Sequence, residues 1–328
     1  MRRDVLPWVI ALGVLVLAFF GAVGVLNATV YSANGFVRGY LDALERRDSA
    51  SALSFDGVGT AEGAGGSSTG SDALLTDDAM AGISAIELVR DTPGAADTHT
   101  VVFDYRFANA AAPQRTEFTV VRSGTRFGLF PDWRFVASPL STVSVTVHNA
   151  DVLTVNGLDV PTTSDRATGF LAFAPGSYEL THESEYLVAE ASEVAITQPG
   201  TIVDAEVRPA PNAAFVASVE EQATAFLDDC ATQTVLMPTG CPFGESIANR
   251  IDSVPRWSIV GYPAVAIVPG DNADGEWRTR PASGTAHLDV AVRSLFDGTV
   301  TRFDEDVPFD AEFSITFSGG EPVLRFAG

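Results

Sequence analysis

The sequence predicts a mixed chain of α+β and β sections behind one N-terminal transmembrane helix. Three observations predict it. A run without charge extends from Pro7 to Leu26. Two stretches with apolar residues at helical spacing each precede a series of strand-like runs. Between them lies a section that is nearly all strand, broken by Asn-Gly and Pro-Gly pairs.

The first element is the apolar run. About twenty helical residues, at a rise of 1.5 Å each, cross the roughly 30 Å hydrocarbon core of a bilayer. Arg2 and Arg3 precede the run, and the next basic residue is Arg38. That asymmetry predicts residues 1–6 as a cytoplasmic tail, 7–27 as a single transmembrane helix, and the rest outside the cytoplasm. A cleaved signal sequence is the alternative. Its apolar core is usually shorter, with small residues before the cut. The cuts after Ala28 and Ala33 would put Leu26 and Tyr31 at the third position back.

All but three of the charged residues, Arg2, Arg3 and Asp4, follow this run. The whole chain has a net charge of −22, and every basic residue is Arg. So acidic a segment repels phosphate backbones and anionic headgroups, which disfavours nucleic-acid binding. Its length calls for two or three domains rather than one small core.

After the anchor, Phe36, Tyr40, Leu41 and Leu44 recur at helical spacing, and Ser32 or Asn34 can cap the start. The glycine-rich stretch GVGTAEGAGGSSTGSD reads as a flexible loop. The runs ISAIELVR, THTVVFDYRF, RTEFTVVRS and FGLFPDWRFVAS read as antiparallel strands. Residues 30–138 are thus an α+β domain. Residues 139–209 follow as short strands, with a hairpin at Asn156-Gly157 and a break at Pro175-Gly176, and suggest a small β-sandwich. Residues 210–328 open with a helix starting near Pro211 and Asn212, whose stripe includes Phe215, Val219, Phe226 and Leu227. Further strands follow. In one, Ala286, Leu288, Val290 and Val292 alternate with His287, Asp289 and Arg293, and Asp297-Gly298 supplies a turn. The order of helix and strands repeats that of 30–138, and FPDWRFVAS and VPRWSIVGY match in position, which suggests a duplicated unit.

The two cysteines, Cys230 and Cys241, lie eleven positions apart. Outside the cytoplasm such a pair is most simply a disulfide. Free thiols and a metal site are the alternatives. A zinc site needs about four ligands, and His99, His148, His182 and His287 are scattered, so no metal or cofactor is expected.

The stretch FVRGYLDALERRDSASAL resembles the first helix of NTF2-like domains, in which a helix packs into a curved antiparallel sheet. VTVHNADVLTVNGLDV and FAPGSYELTHESEYL are similar to the small β-domains of TcaA-like envelope proteins. The chain thus resembles uncharacterised single-pass envelope proteins of high-GC Gram-positive bacteria. The resemblance implies an NTF2-like helix-plus-antiparallel-sheet domain at 30–138, a β-sandwich at 139–209 and a second NTF2-like domain at 210–328. It transfers no catalytic residue. NTF2-like cones often hold a pocket at their mouth. In the third section Trp257, Tyr262, Phe296 and Phe303 are the candidates to line one, with packing in the core as the alternative.

Three patterns were weighed for chemistry. GESIA, Gly244 to Ala248, has the spacing of a nucleophile elbow but lacks the strand–turn–helix on a parallel sheet that an elbow needs; Ser246 reads as an ordinary helix start. GDNADGEW carries calcium-type oxygens at Asp271, Asn272, Asp274 and Glu276, but the EF-hand spacing fails and a hairpin turn is expected. Asp228-Asp229 and Asp304 to Asp306 read as solvated surface rather than as carboxylates converging on one atom. The expected function is a non-catalytic, membrane-anchored extracytoplasmic binding or scaffold module. Its expected partners are the membrane and a cell-wall component or envelope protein. An envelope enzyme using an Asp with His287, and a purely structural spacer, are the alternatives.

Overall fold

The computed structural model describes residues 5–59, 70–108, 110, 112–270 and 276–327. The core of the glycine-rich loop and Asp271, Asn272 and Asp274 lie outside the described residues, as do Met1 to Asp4. The chain is α+β and mostly sheet, with one apolar N-terminal helix and several antiparallel sheets. It divides into two compact units. One comprises residues up to Thr146 together with Val152–Thr181 and Ala191–Val207; the other comprises Val147–Asp151, His182–Glu190 and Arg208–Gly328.

In the first unit, α1 (Val5–Ala28) contains the apolar window Trp8–Ala28, long and apolar enough to cross a membrane by length and composition. Nearly all its described side chains are exposed. An apolar surface on every face of a helix is what a lipid environment tolerates and water does not. The chain then turns into α2 (Ala33–Glu45), where the Ser32 side chain accepts the Gly35 N–H at 3.1 Å and caps the first turn. The corner is tight. A Cβ on Gly35 would lie 2.2 Å from the Thr29 carbonyl oxygen, so only glycine fits there. A short helix that the sequence reading missed, α3 (Ser49–Leu53), follows and is capped by Asp48.

Four strands form a simple antiparallel meander: β1 (Ile83–Pro93), β2 (Thr98–Phe107), β3 (Gln114–Arg126) and β4 (Phe130–Phe135). Alternation decides its two faces. Val101, Phe103 and Tyr105 on β2, with Phe118 and Val120 on β3, join Val37, Tyr40, Leu41 and Leu44 of α2 in one core. The opposite face carries Val102, Asp104, Arg115 and Glu117.

The all-strand section follows: β5 (Leu140–Val147), β6 (Val152–Val155), β7 (Leu158–Pro161), β8 (Ala167–Phe173), β9 (Gly176–Glu183), β10 (Leu187–Ile196) and β11 (Ile202–Val207). β5 lies between β11 and β8, whereas β9 pairs with β6, which pairs with β7. The β6–β7 turn has Asn156 and Gly157 both at positive φ, as its hairpin signature requires. Residues 139–209, expected as a section of their own, are divided between the two units. Leu140 and Phe173 belong to the same core as α2, and the buried Tyr40 hydroxyl donates to the carbonyls of Pro139 and Ala174 at 3.1 and 3.2 Å. Burial pushes the Tyr40 phenol far above its ordinary pKa, so it remains a donor.

In the second unit, β12 (Ala210–Pro211) pairs with the start of β10 and leads into α4 (Ala213–Ala231). The Asn212 side chain accepts the Phe215 N–H at 3.0 Å, so the expected helix start holds. The remaining strands are β13 (Arg250–Ile251), β14 (Arg256–Gly261), β15 (Ile267–Pro269), β16 (Trp277–Thr279), β17 (Ala282–Arg293), β18 (Val300–Ala311), β19 (Phe313–Ser318) and β20 (Glu321–Phe326). They form two sheets. In one, β17 pairs along its whole length with β18 on one edge and takes β14 and the short β13 in turn on the other; the other sheet runs β15-β16-β19-β20. Neither is the meander of the first unit, so the shared order of helix and strands does not extend to shared topology. Ala286, Leu288, Val290 and Val292 are buried as their alternation requires, and they pack with Leu227, Cys230, Phe309 and Phe313. Phe215, Val219, Trp277 and Ile315 form a smaller cluster. Glu245 to Ala248 is coil, not the expected helix start, and the Glu245 N–H is held by the Leu236 carbonyl.

Candidate functional site

The outer face of the first unit's sheet carries a groove of about 730 Å³. Its floor is a cross-strand row. Arg90 on β1 opposes Val102 on β2, and Val102 opposes Glu117 on β3. Residues directly opposite on one face lie about 5 Å apart, which places the three side chains together. Gln198 and Pro199 also line the groove. Arg90 and Glu117 are 3.7 Å apart, and Arg115 grips Asp104 through two bonds of 2.6 and 2.8 Å. The Arg115 guanidinium holds the Asp104 carboxyl below the usual carboxylate range. The groove therefore sets charges of both signs around Val102 on its floor. Sequence reasoning missed it, because its residues meet only once the strand register is known.

A second cluster surrounds the end of α1. The Trp133 indole N–H donates to the Tyr31 carbonyl at 2.9 Å, Tyr31 stacks on Phe130 with centroids 4.3 Å apart, and the Asn27 side chain donates to the Leu129 carbonyl at 3.0 Å. Beside them Asn34 donates to Asp91 at 3.0 Å, and Asp91 pairs with the His99 Nδ1 at 2.6 Å. Two smaller grooves meet at Pro131 and Trp133.

The sequence-derived candidates in the second unit fall as follows. Cys230 and Cys241 form a disulfide, joining the last turn of α4 to the loop that follows it. Trp257 is buried in the core, packed at a tilt against Phe243, and donates its indole N–H to the Val235 carbonyl at 2.8 Å. Phe303 packs at the edge of the same core. Tyr262 is exposed, with its hydroxyl donating to Asp228. Phe296 projects from the β17–β18 turn, 99% exposed. The four aromatics line none of the described grooves.

His287 lies on the outer face of β17, away from the core as its alternation requires. Its Nδ1 is 2.8 Å from Asp306 and its Nε2 is 2.8 Å from Asp304. The acidic stretch does not converge on one atom, but two of its carboxylates take the two nitrogens of one ring. Residues two apart on a strand share a face, so both carboxylates reach one imidazole. The Asp306 hydrogen bond foremost, then Asp304, raises the His287 pKa. With a carboxylate on each nitrogen, both N–H groups of the protonated ring have an acceptor, which favours that form over a free general base. Next along, Asp289 is held by Arg302 at 2.6 and 2.7 Å. Among the described residues, no group of three or more His, Cys, Asp or Glu side chains has the arrangement to hold a metal ion.

No family model, curated protein or solved structure matches the chain.

Proposed function

We propose that the protein is a single-pass, membrane-anchored extracytoplasmic binding module of the cell envelope, with the outer-face groove of its first unit as the binding surface. The observation that carries this reading is the exposed apolar helix Trp8–Ala28, which has no protein partner along most of its length. In water such a surface would be a liability; in lipid it is at rest. The disulfide supports an oxidising compartment for the rest of the chain. The positive residues before the helix support a cytoplasmic N-terminus.

The groove supports binding. It is open and presents Arg90, Arg115 and Glu117 around Val102. Those features suit an extended segment of a cell-wall component or of an envelope protein. α2 laid over an antiparallel sheet supports an NTF2-like reading of residues 30–138, and the strands of 139–209 support a sandwich-like reading. The TcaA-like envelope proteins are the relatives that such a layout suggests.

The test uses the full chain in detergent micelles and purified cell walls. Co-sedimentation that falls at least tenfold on Arg90→Glu with Arg115→Glu supports the groove. Binding that ignores both substitutions moves the site elsewhere. The absence of binding to walls and to envelope extracts alike favours a spacer that holds something off the membrane.

A further inference from the structure

We propose that the tip of the β3–β4 hairpin is a second membrane contact, in which Phe127 inserts at the bilayer interface beside the end of α1. This rests on reading α1 as a membrane span.

The tip's depth follows from α1. Asn27 is one residue short of the end of the apolar window, and its side chain donates to the Leu129 carbonyl at 3.0 Å. Two further links, the Tyr31–Phe130 stack and the Trp133 indole bond to the Tyr31 carbonyl, hold the hairpin against the chain leaving the helix. If the helix end lies at the interface, the hairpin tip lies there with it.

The tip's composition suits that position. Phe127 is 87% exposed, and the neighbouring Leu129 is exposed as well. Phe127 also adopts φ +54, followed by Gly128 at φ +68, with the Leu129 N–H closing onto the Arg126 carbonyl at 3.2 Å. Asn or Gly would occupy the first of these positions without strain. A bulky aromatic that is both strained and exposed stabilises nothing within the chain. Its apolar ring gains if it leaves water for the headgroup–acyl boundary. Tyr31 and Trp133 beside it match the aromatic residues that gather at membrane interfaces, and Trp8 marks the other end of the window.

Charge agrees. Between Thr119 and Val136 the hairpin carries Arg122, Arg126 and Arg134 against the single acidic residue Asp132, in a chain whose net charge is −22. Arg126 is paired to Asp132 at 3.2 Å, whereas the Arg122 side chain donates to the Gly124 carbonyl at 3.4 Å. The hairpin is therefore a locally basic element in an acidic protein, at the height where anionic headgroups would be met.

The experiment places a nitroxide on the full chain, reconstituted in vesicles of phosphatidylcholine and phosphatidylglycerol, at Phe127→Cys, Phe296→Cys or Leu17→Cys, one position at a time with the native disulfide intact. Collision rates with oxygen and with a water-soluble nickel chelate report depth. The expected result is a Leu17 label deep in lipid, a Phe296 label in water, and a Phe127 label at intermediate depth with nickel collisions several-fold below those at Phe296. A Phe127 label as wet as Phe296, with Leu17 in lipid, overturns the hairpin contact and leaves the anchor standing. A wet Leu17 label overturns both. Phe127→Asn supplies the second variant. It relaxes the turn, so folding is retained, and a label at Leu129→Cys in that background is expected to become more exposed to nickel. No change there also overturns the contact.

Discussion

Trp133 and Trp257 stand in matching stretches, FPDWRF and VPRWSI, and serve their two units differently. Each donates its indole N–H to a backbone carbonyl: Trp133 to Tyr31, Trp257 to Val235. Trp257 is buried against Phe243, and the loop it holds is closed by the Cys230–Cys241 disulfide. Trp133 is half-buried, and the corner it holds is secured by hydrogen bonds, the Tyr31–Phe130 stack and the close packing at Gly35. One device, an indole reaching from a strand to a loop, is structural where a core surrounds it. Where it lies at the edge of two grooves beside an apolar helix, it positions a surface.

Removing each indole sharpens that contrast. Trp257→Ala deletes a large core side chain together with a satisfied hydrogen bond, and is expected to destabilise the second unit by about 3–5 kcal/mol. Urea unfolding of the full chain, followed by hydrogen exchange in β14 and β17, measures this; protection that survives the substitution would break the comparison. Opening the disulfide by Cys241→Ala is expected to cost ~3 kcal/mol in the chain-entropy account of so short a loop, again confined to the second unit. Tyr40→Phe leaves two buried carbonyls without their shared donor and is expected to cost about 1–2 kcal/mol in the first unit only. Exchange rates in β5 and β8 rising together with those in α2 would confirm that these segments form one core. Trp133→Ala is expected to cost less than Trp257→Ala, with its larger effect on the exchange of Tyr31 to Gly35 than on global unfolding.

The smallest effect is the pH response of the His287 bridge. The hydrogen bonds to Asp306 and Asp304 raise its folded pKa above the ordinary value for histidine. The bridge therefore contributes fully below about pH 6.5 and is lost as pH rises through the folded value. Arg302 holds the Asp289 carboxyl below the usual carboxylate range, so Asp289 does not share in that slope. Hydrogen exchange along β17 and β18 should accelerate on passing from pH 6 to pH 8, after correction for intrinsic rates, and His287→Gln should flatten the difference. A slope that persists in that variant assigns the response to another group.

Periodic and punctuated features were legible in the sequence. The uncharged run is α1, the Phe36–Leu44 stripe is α2, Asn212 caps α4, and Asn156-Gly157 turns the chain where the hairpin signal stands. Those signals are local and need only the residues within one turn. The groove and the Tyr40 contacts were not legible. They depend on strand register and on partners as far as 134 residues away, which no short window contains. α3 was missed because five residues of Ser, Ala and Leu have too little periodicity to register. The His287 bridge was half visible: alternation placed the ring outside, but the convergence of Asp304 and Asp306 depends on the pairing of β17 with β18.

The long reach of Tyr40 also sets a schedule for biosynthesis. Its two carbonyl partners emerge 99 and 134 residues after it. At roughly 5–20 residues per second, on the order of ten seconds separates the appearance of α2 from that of the backbone that satisfies it. Until β2 and β3 emerge to pack on them, Val37, Tyr40, Leu41 and Leu44 stand uncovered on a nascent chain that has already emitted its most apolar helix, and the Tyr40 hydroxyl waits longer still for its acceptors. A holding chaperone would find its binding segment there, and the arrival of Phe173 and Ala174 would complete the core that displaces it.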